Sequence, residues 1–168
     1  MRAHLLLMAR YNAWATERLL AQHIAPLPDA DYRRDCGLFF KSVHGTLNHL
    51  RVAEQLIWFE RFARGVSPAR RLDEEVESDR AALAAALLDG ARAWTPLIEG
   101  FADERFAGRL DYVTTKGVPT SLPFAATLAH VFNHGTHHRG QLSAALTAMG
   151  QPGPELDLVW MLQAEARP

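Results

Sequence analysis

The 168 residues carry eighteen Lys and Arg against nineteen Asp and Glu, a formal net charge of −1, and are 48% hydrophobic. That is enough apolar material for a single domain over residues 1–168 with one core, and too little net charge to gather nucleic acid or anionic lipid, so neither nucleic acid nor membrane is expected as a partner. No apolar run approaches the roughly 18 residues of a membrane span, "HLLLMAR" is too short and too soon followed by Arg10 to be a signal peptide, and the single cysteine, Cys36, excludes an internal disulfide; the expected location is cytoplasmic.

Residues 3–24 place Leu6, Leu7, Tyr11, Trp14, Ala15, Leu19 and Leu20 at three- and four-residue spacings, which predicts an amphipathic helix ended by "APLPDAD". Tyr11 and Trp14 read as core aromatics. From Leu38 to Arg64 the pattern recurs, with Arg51, Glu54, Gln55 and Arg61 assigned to the outer side, and "GVSP" closes it. The basic pairs Arg33-Arg34 and Arg70-Arg71 read as solvated loop charge. After "RRLDEEVESDR", the stretch "AALAAALLDGARAWTPLIEGF" predicts a third helix that Pro96 should kink or split.

"RLDYVTTKGVPT" at residues 109–120 suggests a short hairpin or an extended connection. A fourth helix is expected from Ser121, as cap, to Met149, with Pro123 in its first turn, followed by a short C-terminal helix in "ELDLVWMLQAEA". The fold class is therefore all-α, an antiparallel four-helix bundle with a short hairpin or extended connection before the last long helix and a short C-terminal helix.

The chemistry concentrates in "FNHGTHHRGQL", residues 132–142, which holds three of the chain's eight histidines. Successive helical residues turn by about 100°, so His134 and His138 lie only about 40° apart, one turn along the axis. Thr127, His130, Val131, His137, Gln141, Leu142, Ala145 and Met149 share their side, whereas Phe132, Thr136, Arg139 and Ser143 face away. A single histidine there would more often be a hydrogen-bonded core residue than a ligand. Two at i, i+4 are satisfied together by a divalent cation, which uses both ring nitrogens.

On the second helix His49 lies among Ser42, Gly45, Thr46, Val52, Ala53 and Leu56 and points inward, while His44 falls with the outward residues. Gly45 and Ala53 are small enough to leave room beside His49. Three histidines without a nearby protein carboxylate predict an open metal site, with positions left for water or substrate. Competing signatures fail: Gly135 stands where a His-Glu-x-x-His protease needs Glu, no histidine has Glu three residues before it as a di-iron bundle requires, and the common nucleotide and serine-hydrolase motifs are absent.

These residues resemble the DinB/YfiT-like family of bacterial four-helix proteins. "RYNAWATERLL" at 10–20 is similar to the family's opening helix, "LNHLRVAEQLIW" at 47–58 to its second-helix motif, "HVFNHGTHHRGQL" at 130–142 to its most specific signature, and "MGQPGPELDLVWML" to its close. The resemblance implies one divalent metal ion per chain on His49, His134 and His138, the three the facial argument reaches separately. It also implies a homodimer, for which Phe132 is a candidate contact.

Some relatives join a low-molecular-weight thiol to an electrophile, and one branch isomerises with a thiol. The leading expectation is thus a metal-dependent transferase that activates a thiol, or water, for attack on a small-molecule electrophile. Gln141 is a candidate to orient a ligand and His137 to support one; the role of His130 is open. The alternative is a non-catalytic metal-binding stress-response protein, and a third reading is a metal-free interaction module. Imidazole suits Zn or Ni first, with Mn, Fe or Cu also compatible. Metal is expected to leave below about pH 6, near the free histidine pKa.

Overall fold

A computed structural model of the chain describes residues 1–167. Helix α1 (Arg2–Leu19) runs on into a π-helical turn at Leu20–Ile24. After Pro28 the sequence "DADYR" forms a short helix, α2 (Asp29–Arg33), inside a stretch that reads as a simple break.

The second long helix starts five residues later than the periodicity suggests. Leu38 to Lys41 make a tight turn, with Lys41 at φ 68°, and the Ser42 hydroxyl caps α3 (Val43–Leu50) by accepting from the Gly45 amide at 3.0 Å. The helix continues as a π-helical segment, Arg51–Phe59, and as α4 (Glu60–Arg64), until Gly65 at φ 67° ends it in the left-handed conformation that glycine adopts without strain.

Asp79 caps α5 (Arg80–Glu99), its carboxylate accepting from the Ala82 amide at 2.7 Å. Pro96 does not split α5: it stands in the last turn, so the helix stops at Glu99 before much is lost. A 3₁₀ turn, Asp103–Ala107, leads to the hairpin of β1 (Arg109–Val113) and β2 (Pro119–Pro123), with Arg109 opposite Pro123 and Val113 opposite Pro119. Ser121 is therefore a strand residue rather than a cap, its hydroxyl accepting from Arg109 at 2.8 Å, and Pro123 precedes α6 (Phe124–Ala148). The short α7 (Leu158–Glu165) closes the chain.

Helix α1 packs against α5 and α6, and the second long helix packs against the same two, giving a four-helix bundle with the hairpin beside it. Leu19, Val43, Leu47, Leu50, Leu83, Leu142 and Leu146 build one apolar cluster. Leu5, Ala9, Phe62, Trp94, Leu128, Val131 and Phe132 build a second. Between these clusters α1, α6 and the second helix bring polar side chains together: Asn12; His49 and Glu54; His134, His138 and Arg139. This polar layer carries the site.

Several surface assignments are corrected by the packing. Glu54, Gln55 and Arg61 are buried, because the wider winding of the π segment slips the faces away from the 3.6-residue period and each meets a different cover: α1 and α6 over Glu54, α5 over Gln55 and the hairpin over Arg61. Gln55 reaches the Leu87 carbonyl at 2.8 Å across Gly90, where a β-carbon would collide with it. His44 is also buried, between the Tyr32 hydroxyl at 3.1 Å and Asn48, since α2 and the 72–77 loop lie over it. Phe132 is 0% exposed and packs edge-on against Trp94, so it belongs to the core and cannot be a dimer contact. Arg139 is buried as well, while Thr136 and the basic pair Arg33-Arg34 are exposed. Tyr11 and the half-buried Trp14 pack against α7, with the Tyr11 hydroxyl donating to the Leu156 carbonyl at 2.8 Å.

Candidate metal centre

Three imidazoles converge in the polar layer. His49 Nε2 lies 3.2 Å from His134 Nε2, which lies 3.1 Å from His138 Nε2. Among the described residues these three are the one group of histidine, cysteine and acidic side chains whose ligating atoms come within 4.8 Å of one another.

Each opposite ring nitrogen faces an acceptor. His49 Nδ1 donates to the Leu72 carbonyl at 2.8 Å, and His138 Nδ1 donates to Gln141 Oε1 at 2.8 Å. His134 Nδ1 faces Glu54 Oε1 at 4.0 Å. The bonded acceptors hold the protons of His49 and His138 on Nδ1, which leaves their Nε2 lone pairs directed at His134 Nε2, while the buried Glu54 carboxylate 4.0 Å behind His134 favours a proton on its Nδ1.

Lone pairs that close repel unless a cation sits among them. For nitrogens about 2.0–2.1 Å from an ion, separations of 3.1 and 3.2 Å correspond to angles of roughly 95–106°, suitable for three ligands on one face of a metal. Burial lowers the His49 pKa to about 4. It lowers His138 to about 3, with the neighbouring His134 and His49 adding to the effect. Both rings are neutral at physiological pH, the state that ligation requires. The residues fit a divalent cation.

The supports behind the rings come from places that periodicity does not mark. The 65–79 loop delivers the Leu72 carbonyl and is pinned by Asn48 Oδ1, which accepts from the Val76 and Glu77 amides at 2.9 and 3.0 Å. Phe40 stacks on His49 with ring centroids 3.8 Å apart. Gly45, read as leaving room for an ion, instead makes way for the Phe40 carbonyl, into which a β-carbon would run.

Glu54 is held in turn: Asn12 Nδ2 donates to Glu54 Oε2 at 3.3 Å, and Arg139 Nη1 donates to Asn12 Oδ1. The expectation of no carboxylate near the site is corrected to this extent, since Glu54 lies behind His134 and not among the ligating atoms. Asn12 could have been noticed as a polar residue within the stripe Leu5, Ala9, Ala15 and Leu19. Gln141 backs His138 as a support. His137 is exposed, its ring 4.9 Å from that of His138.

A cavity of about 320 Å³ opens onto His49 and His134, with Ala53, Trp58, Arg61 and Tyr112 among its walls. His130 also lines it, 5.8 Å from His134 between ring centroids. Two of the three histidines, His49 and His134, therefore face a space large enough for a small molecule. Among the described residues no helix is long and apolar enough to cross a membrane.

Comparison with known proteins agrees with this architecture. The chain is 25% identical over 153 residues to Protein DinB of Bacillus subtilis (strain 168), covering 88% of this chain and 87% of that protein. Its fold superposes on YfiT from Bacillus subtilis, described as a probable metal-dependent hydrolase with an unusual four-helix bundle topology, with a TM-score of 0.68 at 13% identity, over 86% of this chain and 87% of that one. The DinB family model matches residues 1–167, and the chain belongs to the DinB family.

Proposed function

We propose that this protein is a divalent-metal-dependent enzyme in which His49, His134 and His138 hold one ion beside a small-molecule cavity. The observation that carries this reading is the convergence of the three imidazoles, with His134 Nε2 3.2 Å from His49 Nε2 and 3.1 Å from His138 Nε2, and with the outer nitrogens of His49 and His138 hydrogen-bonded to acceptors. An ion bound there supplies Lewis acidity and lowers the pKa of a coordinated water or thiol toward neutrality.

The protein's own groups set the orientation. Leu72 and Gln141 fix the His49 and His138 rings, Glu54 lies 4.0 Å behind His134, and no protein carboxylate occupies a ligand position, so an ion would keep its charge and its remaining positions for small ligands. The nucleophile is a low-molecular-weight thiol or water, and the electrophile enters from the cavity. The description of YfiT as a probable metal-dependent hydrolase favours water; the resemblance to thiol-transferring relatives favours a thiol.

Opening of the cavity onto His49 and His134 favours catalysis over the alternative, a non-catalytic metal-binding stress protein, because an ion that is only sequestered needs no such space. Elemental analysis of untagged protein tests the centre. About one metal per chain in wild type is expected, and loss of it in His49→Ala, His134→Ala and His138→Ala. Metal-free wild type after reconstitution would end the proposal. Turnover of the loaded protein on ester and amide panels, and on electrophiles offered with a thiol, separates the two nucleophiles; inertness in both leaves the sequestering role.

A further inference from the structure

Within the cavity beside the histidines, one cation lacks a counter-charge. Arg61 is 4% exposed and lines that space, yet among the described residues no carboxylate lies within 4 Å of its guanidinium. Its Nη2 donates to the Val113 carbonyl at 2.8 Å, and its Nε–H is buried without an acceptor. The Trp58 ring centroid lies 4.5 Å from the guanidinium carbon and the Tyr112 centroid 4.3 Å, while the two rings meet each other edge-on at 5.3 Å, so the planar head sits in the corner they form.

A buried cation is costly unless it is paired. Aromatic faces and one carbonyl meet part of that cost here and no anion meets the rest. The other walls are apolar or bear hydroxyls and imidazoles: Ala53, Ile57 and Leu72, then Thr114, Thr115 and His130. No acidic side chain lines the cavity, so a bound anion meets no repulsion there.

We propose that the cavity accepts a small apolar molecule bearing a carboxylate, and that Arg61 is the anchor for that carboxylate. Planar guanidinium and planar carboxylate match in shape and charge, and the two rings with the Val113 carbonyl position the guanidinium before the ligand arrives. Trp58 and Tyr112, which hold Arg61, also supply apolar wall for the body of the ligand. This names the substrate class of the proposed enzyme and rests on that reading only in calling the ligand a substrate.

The test compares two probes of equal size, phenylacetate and its uncharged counterpart phenylacetamide, titrated calorimetrically into chelator-stripped and metal-loaded protein. Phenylacetate is expected to bind about tenfold tighter in both forms. Arg61→Gln should abolish the preference at unchanged metal content, and Arg61→Lys should keep part of it. If Arg61→Gln fails to fold, Tyr112→Leu, which removes one of the two rings that hold Arg61, should shrink the preference severalfold.

Equal binding of the two probes by wild type, or binding of neither, overturns the proposal. So does a preference that persists in Arg61→Gln. A preference seen only in metal-loaded protein and lost in His49→Ala would assign the carboxylate to the metal instead. Because the stripped protein is measured separately, failure to take up metal leaves the Arg61 result legible.

Discussion

Glu54 Oε1 lies 4.0 Å from His134 Nδ1, both atoms are buried, and neither has a hydrogen-bond partner elsewhere. The pair ends a chain that starts at Arg139, passes through Asn12 on α1, and reaches the candidate metal face through His134. A carboxylate behind a ligating histidine fixes the ring and raises its basicity, and its loss typically lowers metal affinity by 10–100-fold. Glu54→Gln is therefore expected to weaken zinc binding by about that factor in a chelator competition, while Asn12→Ala, which leaves the carboxylate in place, should weaken it less. Equal affinities in wild type and Glu54→Gln would show that the carboxylate only balances Arg139.

The three histidines were legible in the sequence because each obeys a local rule. His134 and His138 share a helix face by spacing alone, and His49 has small and apolar neighbours one turn to either side. Glu54 and Arg61 were not legible, since they lie in and beyond the π-helical segment Arg51–Phe59 and a 3.6-residue period puts both outside. Phe132 failed for another reason: α6 packs against α1, and the Trp94 ring of α5 reaches Phe132 on the side away from the histidines, so one apolar stripe cannot describe the helix. The hairpin was visible in its β-branched residues and Lys-Gly turn, whereas Leu38–Lys41 passed for helix because its apolar residues continue the period.

Gly135 is the narrowest point of the polar layer. A β-carbon there would lie 2.6 Å from Glu54 Oε1, 2.8 Å from Asn12 Oδ1 and 2.9 Å from Arg139 Nη1, whereas one at Gly140 would meet nothing within 4 Å. Gly135→Ala is expected to destabilise the metal-free fold by about 1–3 kcal/mol, as overpacking does. Gly140→Ala should stabilise it by up to about 1 kcal/mol through helix propensity. Urea denaturation of both variants decides this, and a neutral Gly135→Ala would mean that the polar chain yields easily.

Protons and metal compete for the same nitrogens, so the lowered pKa values carry a sign. His49 and His138, at about 4 and about 3, bind fewer protons in the folded protein than in the unfolded chain below the usual value of 6.5. Stability of the metal-free protein therefore falls as pH drops below about 6.5, and that contribution is lost by about pH 3. Metal should also be held to lower pH than the free histidine value near 6 implies. Dialysis against buffers from pH 6.5 to 4 followed by elemental analysis should show retention at pH 5.5; complete release by pH 6 would contradict it.

At the alkaline end Tyr32, fully buried and bonded through its hydroxyl to His44 Nδ1 at 3.1 Å, is expected to shape the loss of stability. Burial, partly offset by the Arg80 guanidinium 4.2 Å from its ring, raises its pKa to about 12 from the ordinary 10.0. The folded protein keeps this proton after the unfolded chain has released it, so the stabilisation is complete below pH 10 and is lost as pH rises to about 12. Tyr32→Phe removes the ionising group and should flatten that limb of the stability curve. It should also lower stability at neutral pH by about 1 kcal/mol, because His44 loses a buried partner. Melting temperatures of both proteins between pH 8 and 11.5 test the pair of effects together: curves that stay parallel above pH 10 would show that Tyr32 does not govern the alkaline limb.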